Sequence, residues 1–147
     1  MDNIVTRGVT KTRRRILIID NHPLVRRGLS ALIDNEPDLI VCAAATHREG
    51  LETIATSRPA LIITDLWLAQ ADGFGLIADI RASYADLPIL VFSMHAASHF
   101  ARRALRAGAN GYVSKQEMGE TLLIGVRCVL DGEEYVSPKM RAGLDSG

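Results

Sequence analysis

The stretch Leu61–Gly73, LIITDLWLAQADG, constrains this chain more than any other. Leu61-Ile62-Ile63 is an uninterrupted apolar run, which suits a strand buried on both faces of a parallel sheet. The run delivers a carboxylate, Asp65, at its C-terminal end. A charge placed directly after a buried strand needs a partner or a task. Taken alone, Asp65 could simply start a turn. Other strand ends, however, also finish in polar groups with useful chemistry.

Those ends emerge in chain order. Residues 15–20, RILIID, read as a buried strand ending in Asp20, and Pro23 suits the first turn of a helix carrying Val25, Leu29, Leu32 and Ile33. Leu39–Ala44 is a second strand. Thr46-His47-Arg48-Glu49 has capping-box spacing, so a helix should start there with Leu51, Ile54 and Ala55 inward. After the central strand, Asp72-Gly73 opens a helix with Phe74, Ile77 and Ile80 on one side. Leu87–Ser93 is the fourth strand. Ser98 caps a helix with Phe100, Ala101, Ala104 and Leu105 inward, stopped by Gly108. Residues 109–114 form the fifth strand, with Lys115 next. A last helix carries Leu122, Leu123, Val126, Val129 and Leu130 to Gly132.

Five strands alternating with five helices predict an α/β domain with a parallel sheet. Residues 1–14 read as a basic leader, 15–132 as the folded domain and 133–147 as a linker or tail. Nothing in the chain reads as a DNA-binding helix-turn-helix, so a fragment of a longer protein and a stand-alone domain both remain open.

Composition removes other classes. The hydrophobic fraction is 48%, and 17 basic residues balance 17 acidic ones, which argues against disorder and gives no global pull toward nucleic acid or membrane. No apolar run is long enough to span a bilayer, and no signal core opens the chain, so a cytoplasmic protein is expected. Cys42 and Cys128 are far apart with no CxxC and read as buried free thiols.

In such sheets the functional groups gather outside the carboxyl ends of the strands. Here these ends carry Asp20 and Asn21, Asp65, Ser93 and Lys115. Two carboxylates and an amide oxygen suit a hard cation such as Mg²⁺. A lysine and a hydroxyl beside them suit a phosphoryl group. A flavodoxin-type enzyme is disfavoured, because Asn21-His22-Pro23 stands where a phosphate-cradling loop would follow the first strand.

The residues Ile16–Arg26 (ILIIDNHPLVR), Asp65 with Asp72-Gly73, Pro88–Ser93 (PILVFS) and Gly108–Lys115 (GANGYVSK) resemble the receiver domain of bacterial two-component response regulators. The likeness covers about residues 15–137 and is nearest the branch with a C-terminal helix-turn-helix of the nitrate-regulator/LuxR type. It implies a (βα)5 flavodoxin-like fold, a five-stranded parallel sheet in the order 2-1-3-4-5 with helices on both faces. It implies Asp65 as phosphoacceptor, Ser93 as the site hydroxyl, Lys115 as the phosphate-pairing cation and Tyr112, with Ser93, as the switch pair. It implies an Mg²⁺ site from Asp20, Asn21, Asp65 and the Trp67 backbone carbonyl. The implied partner is a sensor histidine kinase, with a homodimer as the assembly. DNA would be reached only through a helix-turn-helix domain outside this chain, and no membrane is involved. Such a domain receives a phosphoryl group once and is not a turnover enzyme.

Departures cluster in the same pocket. The family usually has a second acid where Asn21 stands. Trp67 follows Asp65 by two residues, Ala69 replaces a usual proline, and Gln116 follows Lys115. Asn21 predicts a raised metal requirement. It also keeps open an alternative, a pseudo-receiver acting as a phosphorylation-independent dimerisation or protein-interaction module. His95 and His99 have i, i+4 spacing but are expected as solvated loop residues. Arg102, Arg103 and Arg106 lie opposite the apolar face of their helix and are expected in solvent or at a partner.

Overall fold

The structure, a computed structural model, describes residues 3–6, 9–68, 71–94, 98–138 and 140–141. Contacts divide the chain into two units, 1–60 and 61–147.

The first unit opens with β1 (Asn3–Thr6) and β2 (Val9–Thr12), paired antiparallel. Both are rich in Val, Ile and Thr, which favour extended backbone. A strand pair therefore occupies the stretch expected as a leader. Next come β3 (Arg14–Ile19), α1 (Pro23–Asp34), β4 (Leu39–Ala45) and α2 (Gly50–Ser57). β3 and β4 run parallel, and Ile16 to Ile19 are fully buried. Burying each such side chain stabilises the fold by about 1.5–3 kcal/mol. The register slips after Ile16, because Ile16 faces Val41 and Leu17 faces Ala43. Cys42 is the extra residue of that bulge, and its Sγ donates to the Ile16 carbonyl at 3.5 Å.

α1 begins at Pro23 as expected and buries Leu29 and Ile33. α2 differs from expectation. Glu49 reaches back to the Thr46 amide (3.4 Å) and hydroxyl (2.6 Å), but His47–Glu49 winds as a 3₁₀ turn before the helix. The turn rotates the helix, so Gly50 and Ile54 are buried while Leu51 is 41% exposed and Ala55 faces solvent.

The second unit contains β5 (Leu61–Thr64), β6 (Trp67–Leu68), β7 (Ala71–Asp72), α3 (Gly73–Ser83), β8 (Ile89–Ser93), α4 (Ser98–Ala107), β9 (Gly111–Ser114), α5 (Glu120–Leu130) and β10 (Tyr135–Val136). β6 and β7 form a small antiparallel pair. The parallel strands are ordered β10-β9-β8-β5. Leu61, Ile62, Ile63 and Ile89 to Phe92 are at most 1% exposed, as uninterrupted apolar runs require.

The expected sheet had five parallel strands. The described residues hold six, because β10 pairs in parallel with β9. Two glycines admit it. A Cβ at Gly111 would stand 2.8 Å from the Tyr135 carbonyl oxygen and 2.7 Å from Leu90 Cδ1, and one at Gly125 would stand 3.0 Å from the Tyr135 ring. Within each unit the neighbours agree with the expected order: β4 beside β3, and β5, β8 and β9 in succession. Neither cysteine is in a disulfide, and both are half-buried rather than fully buried.

Candidate functional site

In the first unit the end of β3 carries Asp20, 2% exposed, fixed by its amide donating to the Ala45 carbonyl (3.0 Å). Its Oδ1 accepts from the His22 backbone amide at 2.8 Å and faces His22 Nδ1 at 2.8 Å. The Arg26 guanidinium donates to the Asp20 carbonyl at 2.5 Å. Asn21 is half-buried. His22 and Arg26 had no assigned role in the sequence, although both stand within the NHPLVR run that marks the site.

In the second unit β5 delivers Asp65, 3% exposed. Its Oδ1 accepts from the Leu66 amide at 2.7 Å, and its Oδ2 meets Lys115 Nζ at 2.9 Å, with the lysine side chain only 5% exposed. Burial excludes the water that would otherwise screen this pair. β8 ends in Ser93 and β9 carries Tyr112, and both are fully buried. The Ser93 and Tyr112 hydroxyls are hydrogen-bonded to each other. Loss of solvent pushes the Tyr112 phenol up to about 12; the Ser93 bond opposes this, and the nearby Asp65 charge adds to it. The ring lies wholly inside the second unit.

Asp65, Ser93, Tyr112 and Lys115 thus gather in one unit, from residues that are up to 50 apart in sequence. The Trp67 backbone lies in β6, while its side chain, Ala69 and His95 lie outside the described residues. Asp20 and Asp65, each buried in its own unit, offer the hard carboxylate oxygens that Mg²⁺ takes, and Asn21 offers an amide oxygen.

Two groups escaped the sequence reading. Arg81 on α3 donates to the carbonyls of Gly108 (2.7 and 3.1 Å), Tyr84 (2.9 Å) and Ala85 (2.9 Å) and to Asn110 Oδ1 (2.8 Å). Glu117 bonds Ser137, and here a signal existed, since Ser114-Lys-Gln-Glu117 repeats the capping-box spacing. On α4, Arg103 lies 4.1 Å over the Phe74 ring, which stacks on Phe100, so this arginine has a partner within its own unit. Arg106 is exposed and Arg102 half-buried, and His99 is exposed, 4.2 Å from the Phe100 ring.

A model of the response regulator receiver domain matches residues 16–127. The chain belongs to the response regulator receiver domain family. This receiver is 34% identical over 133 residues to the oxygen regulatory protein NreC of Staphylococcus epidermidis, covering 88% of this chain and 61% of that protein. It is 29% identical over 137 residues to the transcriptional regulatory protein DegU of Brevibacillus brevis, covering 92% and 58%. The receiver spans about three fifths of the length of these curated relatives. Among solved structures it resembles a LuxR-family two-component response regulator from Aurantimonas sp. SI85-9A1, with TM-score 0.87, 32% identity, and coverage of 92% of this chain and 97% of that one. The isolated receiver domain of RcsB from Salmonella enterica serovar Typhimurium shares the fold at TM-score 0.81 and 20% identity, over 89% and 98%. Among the described residues no helix is long and apolar enough to cross a membrane.

Proposed function

We propose that this receiver accepts a phosphoryl group on Asp65 from the phosphohistidine of a sensor histidine kinase. The change would then reach transcription, in the cytoplasm, through the surface of the last helices. The observation that carries this reading is the Asp65–Lys115 pair at 2.9 Å, closed to solvent on both sides. A buried carboxylate held in place by a fixed cation is a positioned nucleophile.

In the transfer step an Asp65 oxygen attacks phosphorus in line. The new P–O bond forms as the P–N bond to the donor imidazole breaks, and the imidazole nitrogen leaves with the electron pair. The Leu66 amide and Lys115 hold the carboxylate during the approach, and Lys115 then pairs with a phosphoryl oxygen. As the resemblance implies, Asp20, Asn21, Asp65 and the Trp67 carbonyl would hold Mg²⁺, which would supply charge to offset the repulsion between carboxylate and phosphoryl oxygens. Asn21 makes that hold weaker than two acids would.

The Ser93 hydroxyl would exchange its bond to Tyr112 for one to a phosphoryl oxygen. Tyr112 is already fully buried, so the signal would be a change in its hydroxyl bond and in the packing around it. Homodimer formation follows from the resemblance, as does contact with DNA through a helix-turn-helix domain outside these residues.

Trp67 is the single tryptophan and stands two residues from Asp65, which makes it the reporter. Its fluorescence should change saturably on adding Mg²⁺ and then beryllofluoride, and Asp65→Asn should abolish the second change. A flat response at high Mg²⁺ would favour the pseudo-receiver.

A further inference from the structure

Glu117 stands two residues beyond Lys115, and its carboxylate joins two parts of the second unit. Ser114 opens the 3₁₀ turn Lys115–Glu117 with a complete capping box: Ser114 Oγ accepts from the Gln116 amide at 3.2 Å, and Glu117 Oε1 accepts from the Ser114 amide at 3.3 Å. The same Oε1 accepts from Ser137 Oγ at 2.5 Å. Ser137 directly follows β10 and is fully buried. Its amide donates to the Tyr112 carbonyl (3.1 Å), and its own carbonyl accepts from the Met140 and Arg141 amides (2.9 and 2.8 Å). Met140 is also fully buried. One carboxylate oxygen therefore clasps the turn that bears Lys115 to the segment that follows the last strand.

We propose that Glu117 is a positioning residue for phosphoryl transfer at Asp65, and that Ser137, by holding Glu117, couples the segment 137–141 to the site. The proposal rests on Asp65 being the phosphoacceptor. A short hydroxyl-to-carboxylate bond is charge-assisted and among the stronger ones available. Removing one partner leaves the other unsatisfied where water has poor access. The turn is too short to keep its shape without its box, and Lys115 is its first residue. Coupling of this kind is reciprocal. A phosphoryl group that draws Lys115 toward it loads the clasp, and a force on residues 137–141 loosens the hold on Asp65.

The test follows phosphoryl incorporation by intact mass with a small phosphodonor at saturating Mg²⁺. The proteins are the wild type, Ser137→Ala, Glu117→Ala, Glu117→Gln and the blank Asp65→Asn. Ser137→Ala and Glu117→Ala should slow the maximal transfer rate about tenfold, with the donor concentration at half rate unchanged. Glu117→Gln keeps an acceptor oxygen and should stay within about twofold of the wild type. Hydrogen exchange at the Ser137, Met140 and Arg141 amides should respond to beryllofluoride in the wild type and not in Ser137→Ala. Circular dichroism establishes that each variant is folded. If Glu117→Ala does not fold, Ser137→Ala, which removes one hydroxyl, decides the matter. Wild-type rates and wild-type exchange in folded Ser137→Ala would overturn the coupling while leaving Asp65 as acceptor. A wild type as inert as Asp65→Asn would remove the underlying reading and the proposal with it.

Discussion

Lys115 Nζ lies 2.9 Å from Asp65 Oδ2, with both side chains almost closed to solvent. The pair joins the end of β5 to the residue after β9, so it is a structural tie and a chemical arrangement at once. Removing the lysine leaves a buried carboxylate without its cation. Lys115→Ala should therefore lower unfolding free energy by about 3 kcal/mol in urea titrations. Asp65→Ala combined with Lys115→Ala should cost less than the sum of the single changes. Strict additivity would show that the two groups do not interact.

Tyr112 predicts a change in stability in alkali. Its folded pKa, about 12, lies above the ordinary 10.0, so the folded state holds the phenolic proton more tightly than the unfolded chain does. The contribution is complete below pH 10.0 and is lost as pH rises through about 12. It amounts to about 2–3 kcal/mol. Tyr112→Phe should flatten the alkaline limb of the stability profile, and tyrosinate absorbance should show one late-titrating phenol that vanishes in the variant.

Arg81 makes bonds to three carbonyls and to Asn110 Oδ1, which also accepts from the Ile89 amide at 2.9 Å. Burial lowers the pKa of the guanidinium, and the nearby Asp86 opposes that shift. Arg81→Ala should destabilise the domain by about 2–3 kcal/mol. Arg81→Lys should recover little, since a single ammonium cannot match a planar fork of donors. Full recovery by lysine would mean that charge alone matters.

Asn21 predicts a weak metal site. Two unit charges about 4 Å apart are worth ~4 kcal/mol at an effective dielectric of about 20, before desolvation is subtracted, and Mg²⁺ carries two such charges. Asn21→Asp should tighten Mg²⁺ binding by about tenfold or more in a fluorescence titration. A wild-type affinity already in the ordinary sub-millimolar-to-millimolar range would contradict this.

Much of the fold was legible because buried parallel strands must be apolar throughout. Leu61–Thr64 and Ile89–Ser93 could be read directly, as could the turn signals after them. β10 was not legible, because two residues, Tyr135-Val136, carry no period. The clue lay elsewhere, in glycines at 111 and 125 whose missing Cβ atoms make its room. Leu51 was misplaced because a 3₁₀ turn shifted the phase of α2, which spacing alone does not reveal. At the site, strand ends pointed to Asp65, Ser93 and Lys115, and the structure brings all three into one unit. The Glu117–Ser137 contact spans 20 residues without a pattern and needed the coordinates, although the Ser114 box was there to be read.

The most direct test of the central claim is intact mass spectrometry of the wild type and Asp65→Asn after exposure to Mg²⁺ and a small phosphodonor. The account predicts one added phosphoryl group in the wild type and none in the variant. No added mass in the wild type, or equal addition in both, would contradict it.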